Sequence, residues 1–226
     1  MAQIPKSTLT FLEDLSQNNN RDWFNERKAI FKSHEKVVKV FYESVLEKLR
    51  QTDEIDAYKL MRIYRDVRFS KDKTPYKARF AGSFRRSTDA LRGGYFLNIE
   101  PSNCCVGGGF YSPNPKDLLR IRKEFSIDPT EIYNIISGKK FKTMFSEGIL
   151  GEGVKTAPKG FSKDNDAIEL IRKKQFYVMK SFTDTEMLSP DFSDRVVEVF
   201  VTLRPFFDYM SEVLTTNLNG ESLIDN

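Results

Sequence analysis

The feature that most constrains this chain is a change in the period of its hydrophobic pattern just past Arg50. From Arg21 to about Arg50 the apolar residues Phe24, Phe31, Val38, Phe41, Val45 and Leu49 recur at helical steps, with Lys28, Lys32, Lys36, Lys39, Glu43 and Glu47 mostly off that stripe. His34 falls on the stripe, which marks it as a packed, hydrogen-bonded histidine at the edge of the core. Beyond Thr52-Asp53-Glu54 the pattern alternates, with Met61, Ile63, Val67 and Phe69 on one side and Arg62, Tyr64, Asp66 and Arg68 on the other. Arg65 spoils the apolar side. A charge there must find a carboxylate or force a bulge near Arg65-Asp66.

Three further segments alternate: Phe80 to Arg85, Gly94 to Glu100, and Cys104 to about Gly109. Turns at Lys71-Asp72-Lys73-Thr74-Pro75 and Pro101-Ser102-Asn103 separate them, so the connections suit an antiparallel meander. One face is expected to be apolar and the other to carry Arg62, Arg68, Arg79, Arg85 and Glu100. Helical periods return afterwards. Ser7 caps a short first helix carrying Phe11, Leu12 and Leu15, and Asn20 caps the long one. Asn114-Pro115 starts another through about Phe125, and Asp128-Pro129-Thr130-Glu131 starts one that stops at Gly138. Phe141 to Gly160 reads as a loop or short hairpin, Ala167 to Lys173 as a short helix, and Phe176 to Phe182 as a strand. Ser189-Pro190 opens a last helix to Thr216, in which Pro205 predicts a kink or break. The whole is an α+β fold, a single domain over residues 1–226 with an antiparallel sheet of about five strands packed against long N-terminal and C-terminal helices.

Composition narrows the function. The 226 residues are 39% hydrophobic, enough for a substantial core, and no run approaches the ~18 apolar residues of a membrane span. No basic and apolar leader opens the chain, so a cytoplasmic protein is expected. The two cysteines, Cys104 and Cys105, are neighbours pointing to opposite faces of a strand, which fits a reducing compartment. One histidine and two cysteines exclude a four-ligand zinc site within the chain, and no metal or other cofactor is expected. Gly107-Gly108-Gly109 lacks both the Gly-x4-Gly-Lys-Ser/Thr and the Gly-x-Gly-x-x-Gly patterns, and no nucleophile elbow is present.

The strongest anomaly is electrical. Between Lys59 and Arg92 there are 11 Lys or Arg against three acids, a balance of +8, whereas the whole chain is +4. Strand pairing gathers these charges, and like charges facing one another repel. Either Asp66, Asp72 and Glu100 neutralise them internally, or a bound phosphate or carboxylate does, held bidentately by arginine.

The motifs resemble a largely bacterial family with fungal members, domain of unknown function 2461. The matching residues are Phe11-Leu12, Leu15, Asn19, Arg21, Trp23 and Phe24, then the unbroken run from Arg62 to Lys77. They continue with Ile99-Glu100-Pro101, Gly107 to Tyr111, Ile121-Arg122, Pro158 to Phe161 and Ser189-Pro190. The resemblance covers about Ser7 to Leu214, which implies one domain, and it implies no particular activity.

The expected function is binding of a small anionic ligand on a basic sheet face. Its candidate residues are Arg62, Arg65, Arg68, Lys71, Lys73, Tyr76, Lys77, Glu100 and Tyr111; no catalytic residue is assigned. One alternative is a metal-assisted enzyme acting on an anionic substrate, with Asp66, Asp72 and Glu100 as base or ligands. A second is a nucleic-acid-binding module in which arginines interleave with Tyr64, Phe69, Tyr76, Phe80 and Phe84. The small ligand ranks ahead of nucleic acid as partner, and no membrane association is expected.

Overall fold

The computed structural model describes residues 2–224. Its helices are α1 (Lys6–Gln17), α2 (Arg21–Glu26), α3 (Lys28–Leu49), α4 (Pro115–Ile127), α5 (Thr130–Ser137), α6 (Lys139–Met144), α7 (Ile168–Ile171), α8 (Asp184–Met187) and α9 (Phe192–Thr215). The strands are β1 (Ile55–Leu60), β2 (Phe80–Arg86), β3 (Gly94–Ile99), β4 (Cys104–Phe110) and β5 (Phe176–Phe182). They form one antiparallel sheet in the order β1-β2-β3-β4-β5, so the fold is α+β as the alternation of periods predicted.

By contact density the chain divides into two compact units. The first comprises the chain up to Arg85, Phe96–Val106 and Ser181–Glu198; the second comprises Arg86–Tyr95, Gly107–Lys180 and the chain from Val199.

In the first unit the long helical stripe is broken once. Asn20 caps α2 by accepting from the Trp23 N–H at 3.0 Å, as expected, but Arg27 leaves helical geometry (φ −107°, ψ 11°) and α3 restarts at Lys28. Arg27 stacks over the Trp23 ring at 4.6 Å, which fixes the joint. The α3 stripe of Phe31, Val38, Phe41, Val45 and Leu49 is buried. Tyr42, wholly buried, donates its hydroxyl to the Leu97 carbonyl at 2.7 Å and stacks on Phe84. Gly82 beneath it has no room for a side chain, because a Cβ there would lie 2.7 Å from the Tyr42 ring and 2.9 Å from the Lys59 carbonyl. His34 fulfils its expected role, 3.1 Å from the Thr8 hydroxyl and against Phe11, and burial lowers its pKa. The first helix begins one residue before Ser7, with Pro5 in the capping position.

The largest departure lies between β1 and β2. A strand was expected at Met61–Phe69, yet β1 ends at Leu60 and residues 61–79 form a long irregular connection. Its only bridge among the described residues pairs Tyr64 with Tyr76, with Arg65 N–H donating to Pro75 O at 2.9 Å and Lys77 N–H to Ile63 O at 2.8 Å. Two forces end the ladder. Pro75 has no N–H to give, and the charged side chains find partners within the connection itself. The Asn19 side chain takes the place of a strand, donating to Tyr76 O at 3.0 Å and accepting from Tyr76 N at 3.1 Å.

In the second unit the three glycines of β4 are explained by packing. A Cβ on Gly107 would lie 1.9 Å from the Val178 carbonyl, one on Gly108 2.5 Å from the Gly94 carbonyl, and one on Gly109 2.2 Å from the Phe176 carbonyl. They permit close backbone approach and do not cradle phosphate. Asn114 caps α4 by accepting from Asp117 N at 2.9 Å, and Asp128 accepts from Thr130 N at 2.9 Å ahead of α5. The short α6 and α8 escaped the sequence reading because one or two turns leave too little periodicity. Residues 150–154 pair with 172–177 through bridges Leu150 to Tyr177 and Gly153 to Lys173. Of the kink or break expected at Pro205 the break does not occur, since α9 continues through the proline. Burial of Phe206 and Phe207 beside the proline, with Tyr95 and Phe110 against Phe207, holds that stretch helical.

Candidate functional site

The basic stretch is largely neutralised by carboxylates, several of them distant in sequence. Arg65 binds Asp72 and the Thr74 hydroxyl, which is the carboxylate solution the sequence left open. Arg68 makes a two-pronged pair with Asp66, at 3.0 and 2.7 Å, and Lys73 donates to the Val67 carbonyl at 2.9 Å. Arg85 pairs with Asp56. In the second unit Arg92 meets Asp117 at 2.5 Å. Arg86 shares the inward face of β2 with Phe84, its side chain fully buried, and is met by Asp208 at 2.7 Å, the Arg92 carbonyl at 3.2 Å and the Phe207 ring at 5.8 Å.

These pairs set the acidity of the loop. The Thr74 N–H, then the Arg65 guanidinium and the Thr74 hydroxyl, hold the Asp72 carboxyl at about 2. Arg68 lowers Asp66 through its side chain and then its backbone. Both carboxylates are therefore occupied. Among the described residues no three His, Cys, Asp or Glu side chains gather as a metal site would require.

Glu100, at the end of β3, accepts from the side-chain amides of Asn98 and Asn103, each at 2.9 Å, and lies 3.8 Å from Arg79. It also borders a cleft of about 260 Å3 with the last turn of α1 and Ala78. The Asn98 amide oxygen, on a residue 1% exposed, has no hydrogen-bond partner among the described residues. Cys105 has its pKa raised by burial, with Arg79 opposing and Glu100 reinforcing, which sets the three groups in one neighbourhood.

Lys77 differs from its neighbours. Partial burial, then the positive charges of Arg79, Arg62 and Arg65, depress its pKa below the ordinary lysine value. Arg65 and Arg79 have carboxylate partners, at Asp72 and Glu100. Arg62 is exposed, Lys77 half-buried, and neither makes an ion pair among the described residues. Lys71 is exposed near the loop tip, beside Phe69, which is 97% exposed. Tyr76 is no surface ligand: it is 4% exposed and stacks on Phe24 with centroids 4.0 Å apart. Burial first, then Tyr64, raises its hydroxyl pKa, with Arg21 opposing.

Of the nine candidates, Arg62, Arg65 and Lys77 come together, joined by Arg79, while Glu100 reaches the group through Arg79. Arg68, Lys71 and Lys73 belong to the outer loop, Tyr76 to the core beneath it, and Tyr111 to the second unit, where it edges a cleft of about 530 Å3. Asn98 and Asn103, which hold Glu100, were missed. Their signal was the Asn-x-Glu spacing at the end of a strand followed by a tight turn.

Fold and site together define an α+β protein with a basic, partly self-neutralised connection between its first two strands. The chain matches the family described as conserved hypothetical protein DUF2461 over residues 7–209. It belongs to that family, as the motifs from Phe11 to Ser189-Pro190 implied. No curated protein and no solved structure matches it.

Proposed function

We propose that the chain binds a small phosphate- or carboxylate-bearing anion at the cluster of Arg62, Lys77 and Arg79, with Arg65 and Glu100 fixing its edges. The observation that supports this reading is the crowding around Lys77, a half-buried ammonium whose charged form is disfavoured by burial and by three guanidinium groups. The carboxylates that meet Arg65 and Arg79 are already engaged, Asp72 by Arg65 and Thr74, and Glu100 by two amides and Arg79. An anion seated there relieves the repulsion and receives bidentate hydrogen bonds from arginine. Lys71 and Lys73, which make no ion pair among the described residues, supply the positive field that draws it in.

Thermal unfolding in phosphate, malonate and chloride at matched ionic strength tests this reading. Phosphate or malonate raises the midpoint by mass action, and Lys77→Met together with Arg62→Gln removes the shift. Equal midpoints in all three salts overturn it. A second reading, single-stranded nucleic acid, is favoured by Phe69, 97% exposed with the Arg68 guanidinium 5.9 Å from its ring. Steeply salt-dependent oligonucleotide binding that Phe69→Ala weakens supports that reading over the first.

A further inference from the structure

The cleft beside Tyr111 is made wholly of residues of the second unit and plays no part in the basic loop. At about 530 Å3 it falls within the size range of small-molecule sites. One wall begins where β4 ends. Phe110 is buried edge-on to Phe206 and Phe207, so the next side chain, Tyr111, is turned outward and is 66% exposed. Its ring is held in place against Tyr177, with centroids 5.4 Å apart and planes at 49°. Leu118 and Arg122, one turn apart on α4, continue this wall.

The opposite wall is the segment that pairs beside β5. Lys174 N–H donates to Glu152 O at 2.7 Å and Val154 N–H to Arg172 O at 2.9 Å. Gly151, at φ 130°, allows this approach, since a Cβ there would sit 2.3 Å from the Gln175 carbonyl. Past that ladder, Pro158 and Lys159 close the cleft, with Phe161 N–H bonded to Pro158 O at 3.1 Å.

The charges on the lining are three cations, Arg122, Lys159 and Lys174, against the single acid Glu152. Arg122 spends its Nε on the Ile171 carbonyl at 2.8 Å and its Nη2 on the Lys173 carbonyl at 3.1 Å. Both bonds aim the guanidinium rigidly and leave Nη1 as a spare donor. Its pKa is lowered by burial, so a counter-anion is favoured there. Lys159 and Lys174 are exposed. A steadied, outward-facing aromatic ring beside apolar Leu118 and Pro158, with cations on the same cleft, suits one ligand chemistry.

We propose that this cleft binds a flat aromatic or heteroaromatic ring bearing a phosphate or carboxylate group. The ring lies on Tyr111, and the anion takes hydrogen bonds from Lys159, Lys174 and the spare Arg122 donor. The site is independent of the reading given to Arg62, Lys77 and Arg79.

Ring-labelled tyrosine NMR reads it directly, with the Tyr111 signals assigned from a Tyr111→Phe variant. Phenyl phosphate, benzoate and inorganic phosphate are each titrated to about 10 mM, the range of weak fragment binding. The Tyr111 and Tyr177 ring signals move with at least one aryl anion, and which one moves them tells a phosphate ligand from a carboxylate. Tyr111→Phe keeps the affinity, whereas Tyr111→Ala lowers it about fivefold or more, and Lys159→Ala with Lys174→Ala lowers it about tenfold or more. The proposal is overturned by three outcomes: no movement with either aryl anion, inorganic phosphate acting as strongly as phenyl phosphate, or unchanged binding in the double lysine variant. Because Tyr111 lines this cleft and Tyr177 packs against it, failure of anion binding at Lys77 does not alter the readout.

Discussion

Arg86 and Lys77 come from one basic stretch of sequence and meet different surroundings. Arg86 is removed from solvent and surrounded by matched partners: the Asp208 carboxylate at 2.7 Å, the Arg92 carbonyl at 3.2 Å and the Phe207 ring. Lys77 is only half-buried, yet burial and three neighbouring guanidiniums make its charge unfavourable. Depth of burial therefore does not tell a satisfied cation from a crowded one. What separates the two is whether the fold itself supplies the opposing charge. A satisfied buried cation is architecture, and a crowded, unsatisfied one at the surface is where an anion gains most.

The sharpest way to break this contrast is to remove the partner of Arg86. Asp208→Asn takes a carboxylate away from a buried guanidinium and lowers the unfolding free energy by about 3 kcal/mol, measured in urea. Replacing both, as Arg86→Leu with Asp208→Asn, restores most of that loss. A single-variant loss under about 0.5 kcal/mol, the level of a surface pair, removes the distinction between Arg86 and its exposed neighbours.

Lys77→Met is expected to behave in the opposite way. It relieves like-charge repulsion and stabilises the protein by about 0.5 kcal/mol, while abolishing the response to phosphate. Its pH dependence has a definite sign. The folded chain holds the Lys77 proton less tightly than the unfolded chain, so the penalty is present at neutral pH. It fades as pH rises through the depressed folded value towards about 10.4, the ordinary lysine value. A Lys77→Met variant less stable than the parent at neutral pH would falsify the crowding argument.

Glu100→Gln sharpens the comparison more gently. It removes the carboxylate facing Arg79 while keeping an acceptor for the Asn98 and Asn103 amides. The cluster becomes more positive, and phosphate binds a few-fold tighter, by roughly 0.5 kcal/mol, the scale of a partly exposed charge contact. Calorimetric titration reads the change, and weaker binding counts against an anion at this cluster.

The smallest effect is local. Asp72 is held at about 2, so its bonds to Thr74 and Arg65 stay intact above the ordinary value of 3.8 and are lost as pH falls towards 2. The Thr74 amide resonance follows that loss with a midpoint near 2 in the parent. In an Arg65→Gln variant the midpoint moves towards 3.8; an unmoved midpoint means that Arg65 does not hold Asp72.

Much of the architecture was legible in the sequence. The apolar steps of Phe31, Val38, Phe41, Val45 and Leu49 fixed a helix and its buried face, and the caps at Asn20 and Asn114 appear where side-chain chemistry put them. The alternation of Phe80, Gly82 and Phe84, and of Tyr95, Leu97 and Ile99, gave β2 and β3 and their inward side. The strand expected at Met61–Phe69 failed because alternation there records only residue type, whereas Val67 O accepts from Lys73, Arg68 N–H bonds the Asp66 side chain, and Asn19 takes up the Tyr76 backbone across the connection. Of the site, the basic segment was visible and its internal organisation was not.

Sequence by itself determined the α+β class, an antiparallel sheet, the concentration of positive charge, and family membership through local motifs. Those properties depend on nearest neighbours along the chain, where period and capping act. Tertiary structure alone decided which cations are neutral in effect. Asp56, Glu100, Asp117 and Asp208 lie outside or at a distance from the residues they pair, and Coulomb energy depends on separation in space. It likewise sent Tyr76 inward and Tyr111 outward, although both tyrosines sit in equally strong motifs.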